Sequence, residues 1–203
     1  LRSSERLSLS ERLDFHRELT SQFPIAPLRV VYAKAGMHLA AARVVDHRAI
    51  IDHTLYWATV ATKEEAHFLC AILNSVAATQ ATRPLMSRGK EERHIDTHVW
   101  KLPIPAFDVD DGSHVALATL GRDAEALMDT LPVTPADNFV TLRRAARALV
   151  AASDVGRHIE TLVAPMLPPP WLDEVYALVA AGEGRKALTR VYDEIDERLL
   201  DGH

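Results

Sequence analysis

A basic segment between residues 83 and 101 carries the side chains whose types and spacing best suit contact with an anion. Arginine can donate two parallel hydrogen bonds to guanine, whereas lysine and histidine more readily hold a phosphate oxygen. An ordinary solvated loop is the alternative interpretation, because basic surface loops are common. The candidate contact residues of this segment are Arg83, Arg88, Lys90, Arg93, His94 and Lys101.

Two other pairs of residues are weaker candidates for a metal site or a catalytic site. His94 and His98 stand four residues apart, a spacing that would place two metal ligands on one face of a helix. No nearby spacing supplies a third ligand, so we assign no metal site. Asp52 and His53 are adjacent, and neighbouring side chains on a strand point to opposite faces. The chain has no Gly-x-Ser-x-Gly turn either, and we assign no catalytic residue.

A predicted strand and a capped helix precede the basic segment. Residues 49–60 are rich in β-branched and aromatic side chains, which favours a strand. Thr62 is the predicted N-cap of the helix that follows, with Glu65 at the reciprocal capping position. Apolar residues then recur at helical spacing until residues 74–75 interrupt them. Cys70 lies on this apolar face, which indicates a buried thiol rather than a nucleophile.

The first half of the chain should form a small sheet. Strands are predicted at 28–35 and 37–45, separated by Gly36, after a short helix within 8–22. With the third strand they make a small mixed or antiparallel sheet that needs a helix to cover one face. We therefore expect residues 1–107 to be an α+β module.

The second half should be all helical. Residues 108–203 are rich in alanine and leucine, with prolines between the helical stretches. The last two helices, around a glycine-containing turn, predict a helical hairpin over 171–200 that could pack on its own domain, on a partner or on a second copy. The predicted helices span 113–131, 137–152, 154–166, 171–181 and 184–200. The expected fold class is thus α+β with an all-helical C-terminal region.

The order of these elements resembles a known family. The resemblance rests on LYWATVATKEEAHFLCAILNS, on RGKEERHIDTH, and on WKLPIPAFD followed by His114 and LATLGRDAEAL. Together these segments resemble the C-terminal target-recognition region of adenine-specific DNA methyltransferases and of restriction and modification enzymes, over about residues 28 to 130. The resemblance implies a mixed α and β module that reads base edges in the major groove of double-stranded DNA, with later helices acting as a spacer or docking surface.

The parts of such enzymes that transfer the methyl group are not recognisable here. The resemblance implies a glycine-containing turn for S-adenosylmethionine, yet the chain has only eight glycines, and its one Gly-x-Gly, Gly182-Glu183-Gly184, lies between the last two predicted helices rather than after a strand. Its Pro-Pro-aromatic sequence, residues 168–171, lacks a polar residue in front, so we interpret it as a break between helices. We expect no cofactor in this chain and S-adenosylmethionine in a separate catalytic domain of a longer parent enzyme. Leu1 in place of Met fits such a fragment.

Charge divides the chain at the LPIP connector, residues 102–105. Residues 1–107 hold 14 Lys and Arg against 11 Asp and Glu, whereas residues 108–203 hold 9 against 17. Phosphate repels an acidic surface, so DNA contact is expected in the first half, and the second half should face a protein or solvent. One basic cluster interrupts the acidic half: Arg143, Arg144 and Arg147. These side chains could pair with carboxylates or contact a phosphate. We prefer the third interpretation, that they keep one face of their helix in contact with solvent.

Composition limits the remaining classes. With 48% hydrophobic and 25% charged residues, the chain has the composition of an ordinary globular protein. It has no apolar run near the roughly 20 residues that span a bilayer and no signal-peptide pattern. We expect a cytoplasmic protein without membrane contact. The alternative function is a helical interaction module without nucleic-acid binding, which would self-associate through the 171–200 hairpin.

Overall fold

The computed structural model describes Asp14 and residues 17–88, 93–134, 138–168 and 170–200. These residues form a small antiparallel sheet covered by helices, followed by a helical C-terminal part. The predicted α+β fold class is confirmed.

The sheet has three strands with the first in the centre. Strand β1 (Arg29–Ala33) pairs with β2 (Ala41–Val44) on one side and with β3 (Leu55–Thr59) on the other, both antiparallel. Gly36 lies between β1 and β2 at a φ of +147°, a conformation that only glycine adopts without strain. Just beyond β1, the Lys34 amide donates to the Thr54 carbonyl, while the Lys34 carbonyl accepts from the Ile95 amide of the segment that follows the helices.

The third strand is shorter than the predicted 49–60, because Asp52 forms a turn. Its side chain accepts a hydrogen bond from the Thr54 amide, and its carbonyl accepts one from the Leu55 amide. The prediction that Asp52 and His53 point to opposite faces of a strand is therefore wrong. Nδ1 of His53 lies 3.1 Å from Oδ2 of Asp52 in this exposed turn.

The first predicted helix is only partly within the described residues. Residues 8–13, 15 and 16 lie outside them. Its described end is a single 3-10 turn, Thr20–Gln22, rather than an α-helix. Gln22 is buried there, and its side-chain amide both donates to and accepts from the backbone of Ile51. This pairing holds the segment against the loop that precedes β3.

Helix α1 (Lys63–Leu73) begins where the capping pattern predicts. Oγ1 of Thr62 accepts a hydrogen bond from the Glu65 amide at 3.0 Å, while the Glu65 carboxylate accepts from the Ala61 amide at 2.6 Å. The first bond satisfies an amide that a helix start leaves without a partner, and the second ties the residue before the cap to the first turn. Phe68 and Ile72 on this helix are fully buried, and they cover one face of the sheet.

Asn74 and Ser75 end α1 and start a second helix. The Asn74 side chain accepts from the Ala41 amide and donates to the Ala41 carbonyl, so it pairs with edge strand β2 as a neighbouring strand would. Ser75 then caps α2 (Val76–Thr82) by accepting from the Ala78 amide at 3.0 Å.

Five helices make up the second half of the described chain. Their bounds agree with the prediction to within three residues. The first of the five, predicted at 113–131, ends early because the amides of Thr130 and Leu131 donate to carbonyls three residues back and form turns before Pro132. The helices are α3 (Gly112–Met128), α4 (Phe139–Ala152), α5 (Asp154–Val163), α6 (Pro170–Ala180) and α7 (Gly184–Leu200).

One hydrophobic core runs through most of these elements, from Val30 to Leu167. Helices α1 and α3 cross so closely that a methyl group on Gly121 would lie 2.2 Å from the His67 carbonyl oxygen. The core thus contains residues from both sides of residue 107, and the predicted division there stays a prediction. Within the described parts of the chain, no helix is long and apolar enough to cross a membrane.

The last two helices pair as the predicted hairpin. Ala187 is buried, and Nε of Arg190 contacts Oε2 of Glu174 at 3.1 Å. The same hairpin leaves four large side chains 58–63% exposed: Tyr176, Val179, Leu188 and Tyr192.

Candidate nucleic-acid interface

The predicted basic loop contains a short antiparallel pair of strands. Strand β4 (Ser87–Arg88) pairs with β5 (Arg93–His94), with Ser87 opposite His94 and Arg88 opposite Arg93. Two of the predicted contact residues therefore occupy the same rung of a two-stranded ribbon. Lys90, predicted between them, lies outside the described residues.

The ribbon is fixed to the end of β1 by its backbone. Ala35 forms an isolated antiparallel bridge with His94, and the Ile95 amide donates to the Lys34 carbonyl at 2.8 Å. Ile95 and Met86, which flank the ribbon, are both buried in the core. A ribbon anchored on both sides in this way has a defined position relative to the sheet.

An aromatic group adjoins the anchoring point. Tyr32 is buried, stacks on Tyr56 at a centroid distance of 5.5 Å, and meets the ring of Trp100 edge to face at 5.3 Å. Nζ of Lys34 lies 4.7 Å from the centre of the Tyr56 ring, within the range of a cation–π contact. Trp100 is packed along one edge and still 48% exposed. The surface beside the ribbon thus offers an ammonium group and an indole.

The other predicted residues flank the ribbon. Arg83 is half-buried at the start of a 3-10 turn, Arg83–Leu85, directly before β4. His94 is exposed on β5. Lys101 is exposed at the end of a second 3-10 turn, Asp96–Lys101. Five of the six predicted residues therefore lie in the described segment that holds the ribbon.

Sequence reasoning missed Lys34 as a member of this surface. Lys34 follows Val30 and Tyr32 at intervals of two residues, the period of one face of a strand. That signal becomes useful only when Tyr32 is known to pair with Tyr56, because the pairing brings Lys34 near that ring. Nothing in the sequence states this register.

A polar network lies between the sheet and α3. The guanidinium of Arg43 donates two hydrogen bonds to the Glu125 carboxylate, one of them at 3.1 Å, and this lowers the pKa of Glu125. Nδ1 of His67 lies 3.5 Å from Oε2 of Glu125 without forming a hydrogen bond, and burial lowers the pKa of this imidazole. These contacts fasten β2 and α1 to α3, and their positions suit a structural role.

Cys70 adjoins that network. Burial raises the pKa of its thiol to about 12, so the thiol stays protonated at neutral pH. A protonated thiol is a poor nucleophile and a poor metal ligand.

Across the described ranges of the chain, the other groups of side chains that the sequence suggested do not form a catalytic or metal site. His94 lies on β5 and His98 in the following 3-10 turn, so they do not share a helix face as metal ligands would. Among the described residues, no three His, Cys, Asp or Glu side chains are close enough to hold a metal ion. In the Pro-Pro-aromatic stretch, Pro169 lies outside the described residues and Pro170 is the first residue of α6.

Comparison with protein-family models, with curated proteins and with solved structures found no match. The site's geometry and charge are therefore the basis for inferring what this chain does.

Proposed function

We propose that this chain is a DNA sequence-recognition module of an adenine-specific DNA methyltransferase or of a restriction and modification enzyme. Its role is to select the DNA site. Methyl transfer and the binding of S-adenosylmethionine belong to a separate catalytic domain, which is one partner of this module. Double-stranded DNA is the other partner, in the cytoplasm.

The anchored ribbon is the observation that carries the proposal. The major groove of B-DNA admits a two-stranded β-ribbon, and arginine is the side chain that most often reads guanine there. Arg88 and Arg93 share one rung of such a ribbon. Its backbone is fixed at His94 and Ile95, so the ribbon's position relative to the sheet would not have to be established on binding.

The neighbouring groups support the same role. Lys34, His94 and Lys101 lie beside the ribbon or at its ends, where phosphates flanking a groove would pass. Trp100 offers a half-exposed ring that could pack against a sugar or a base. In this arrangement the flanking groups position the duplex and the arginines distinguish its bases.

A double substitution in the ribbon tests the proposal. On a duplex selected from a random pool, Arg88→Ala with Arg93→Ala should weaken binding by the full chain at least about tenfold, since each lost bidentate contact is worth about 1–3 kcal/mol. The matched control is Arg48→Ala with Arg122→Ala, which removes the same charge from side chains that are 81% and 64% exposed. Equal affinity of the two folded variants would contradict the assignment of the ribbon.

The exposed hairpin favours a second candidate, a self-association module. Its four large exposed side chains would be covered if two copies packed together. Light scattering on the full chain would then give a dimer mass that falls to a monomer with Leu188→Glu and persists with Val109→Glu, a control at a residue that is 72% exposed. A monomer mass for the unsubstituted chain at every concentration would reject this candidate.

A further inference from the structure

Helix α4 carries three arginines on one side. Arg143 and Arg147 are one turn apart, and Arg144 stands three residues before Arg147, so the three side chains neighbour each other. None of the residues of α4 is fully buried, and Arg144 and Arg147 are exposed. The cluster is therefore open to a partner.

Within the described residues, these three arginines have no carboxylate partner. Other arginines of the acidic half do: Arg122 contacts Asp123, Arg157 contacts Asp154 and Arg190 contacts Glu174. The cation of Arg143 lies instead 5.3 Å from the centre of the Phe139 ring. The sequence left pairing with carboxylates as one possible role of these arginines. The described contacts do not support that role.

The three guanidinium groups also oppose one another. Partial loss of solvent around Arg147, which is still exposed, and then the charges of Arg143 and Arg144, lower the pKa of Arg147. Arginine stays protonated in proteins, so the repulsion persists at neutral pH. An anion bound across the cluster would relieve it.

The position of the cluster suggests which anion. A methyl group built on Gly36 would lie 3.8 Å from Nη2 of Arg143. The residue before Gly36, Ala35, forms the bridge to His94 that anchors the ribbon. Arg143, one member of the cluster, therefore lies near the base of the ribbon, although 49 positions separate it from His94 in the sequence.

We propose that Arg143, Arg144 and Arg147 bind backbone phosphates of the same DNA duplex whose bases the ribbon reads. This inference rests on the proposed function. A duplex is the favoured anion because its phosphates recur along the backbone, so that one strand can pass the ribbon and reach the cluster. Arginine forms bidentate contacts with phosphate, and such contacts fix the register of a protein on DNA without reading its sequence.

The salt dependence of binding tests this role. Each phosphate contact contributes about 0.9 to the slope of log affinity against log salt concentration. The triple variant Arg143→Gln, Arg144→Gln and Arg147→Gln should reduce that slope by about 2 to 3 and should weaken binding equally on all duplex sequences. A lysine triple variant should keep most of the slope, because it keeps the charges.

The control removes three exposed arginines elsewhere: Arg48→Gln, Arg122→Gln and Arg157→Gln. Circular dichroism confirms that every variant is folded before binding is compared. If the slopes of the cluster variant and the control variant are equal, the phosphate role is wrong. Binding of a polyglutamate peptide through the cluster without duplex binding would also overturn it, in favour of an acidic protein partner.

The outcomes separate the two proposals. A reduced slope in the cluster variant, with unchanged site preference after Arg88→Ala and Arg93→Ala, would support the cluster and reject the ribbon as reader. Loss of site preference in the ribbon variant, with an unchanged salt slope in the cluster variant, would support the ribbon as reader and reject the phosphate role of the cluster. No binding of the unsubstituted chain to any duplex at low salt would reject both.

Discussion

At the scale of single residues, Asn74 joins the end of α1 to the edge strand β2. Its side chain accepts from the Ala41 amide and donates to the carbonyls of Ala41 and Cys70. An amide can both donate and accept, and a carboxylate of the same shape cannot donate. The Leu-Asn-Ser sequence therefore places a core residue, a strand partner and a helix cap in succession.

Asn74→Asp should lower the free energy of unfolding by about 1–3 kcal/mol, because the carbonyls of Ala41 and Cys70 each lose a side-chain donor and face a negative charge, although the Cys70 carbonyl keeps the Asn74 amide. Urea denaturation measures this change. Asn138→Asp is the matched control, since Asn138 only accepts from the Val140 amide as an N-cap, a role that aspartate fills equally well. Similar losses in both variants would contradict the strand-partner role of Asn74.

The titration of His67 and Glu125 predicts a pH dependence of stability. Each has a pKa lowered by folding, His67 by burial and Glu125 by its hydrogen bonds with Arg43. The unfolded chain therefore binds their protons more strongly, and stability falls as the pH falls. The loss from His67 begins below its ordinary pKa of 6.5, and the loss from Glu125 begins below 4.5.

His67→Gln should remove the first of these losses. Between pH 7 and pH 5, the free energy of unfolding of this variant, measured by urea denaturation, should change less than that of the unsubstituted chain. Parallel stability curves over that interval would show that burial of His67 does not produce the pH dependence.

At the scale of elements, the crossing of α1 and α3 determines how the sheet joins the helical part. Gly121 permits the close approach to the His67 carbonyl, and the Arg43–Glu125 pair lies in the same region. Residues of both helices belong to the hydrophobic core that also supports the ribbon through Ile95.

Gly121→Ala should destabilise the protein by about 1–3 kcal/mol although alanine favours helices, because the added methyl group overlaps the carbonyl and forces the helices apart. Gly184→Ala is the control, since nothing lies within 4 Å of a methyl group there. Thermal unfolding compares the two. If Gly121→Ala is as stable as the control, the helices do not approach as described.

Local signals predicted the elements well. Thr62 and Glu65 correctly marked the start of α1, and the five helices of the second half lie close to their predicted bounds. Local signals failed where one side chain redirected the backbone, as Asp52 does before β3. The ribbon was predicted only as a basic loop, because two-residue strands are too short to show a period of two.

At the scale of the whole molecule, the spatial distribution of basic side chains was hard to predict. The count over residues 108–203 indicated an acidic half that DNA would avoid. Folding nevertheless brings Arg143 of that half beside Gly36, close to the ribbon. Both basic groups, residues 83–101 and the arginines of α4, could be recognised from the sequence, whereas the approach of Arg143 to Gly36 depends on long-range packing.

The most direct test of the central claim is selection of bound duplexes from a randomised pool by the full chain, first at low salt and then at moderate salt. Phosphate contacts weaken as salt rises, whereas base-specific contacts keep their preference. We predict that one short motif remains enriched after the salt step. Retention without any motif, or no retention at all, would contradict recognition of a DNA sequence by this chain.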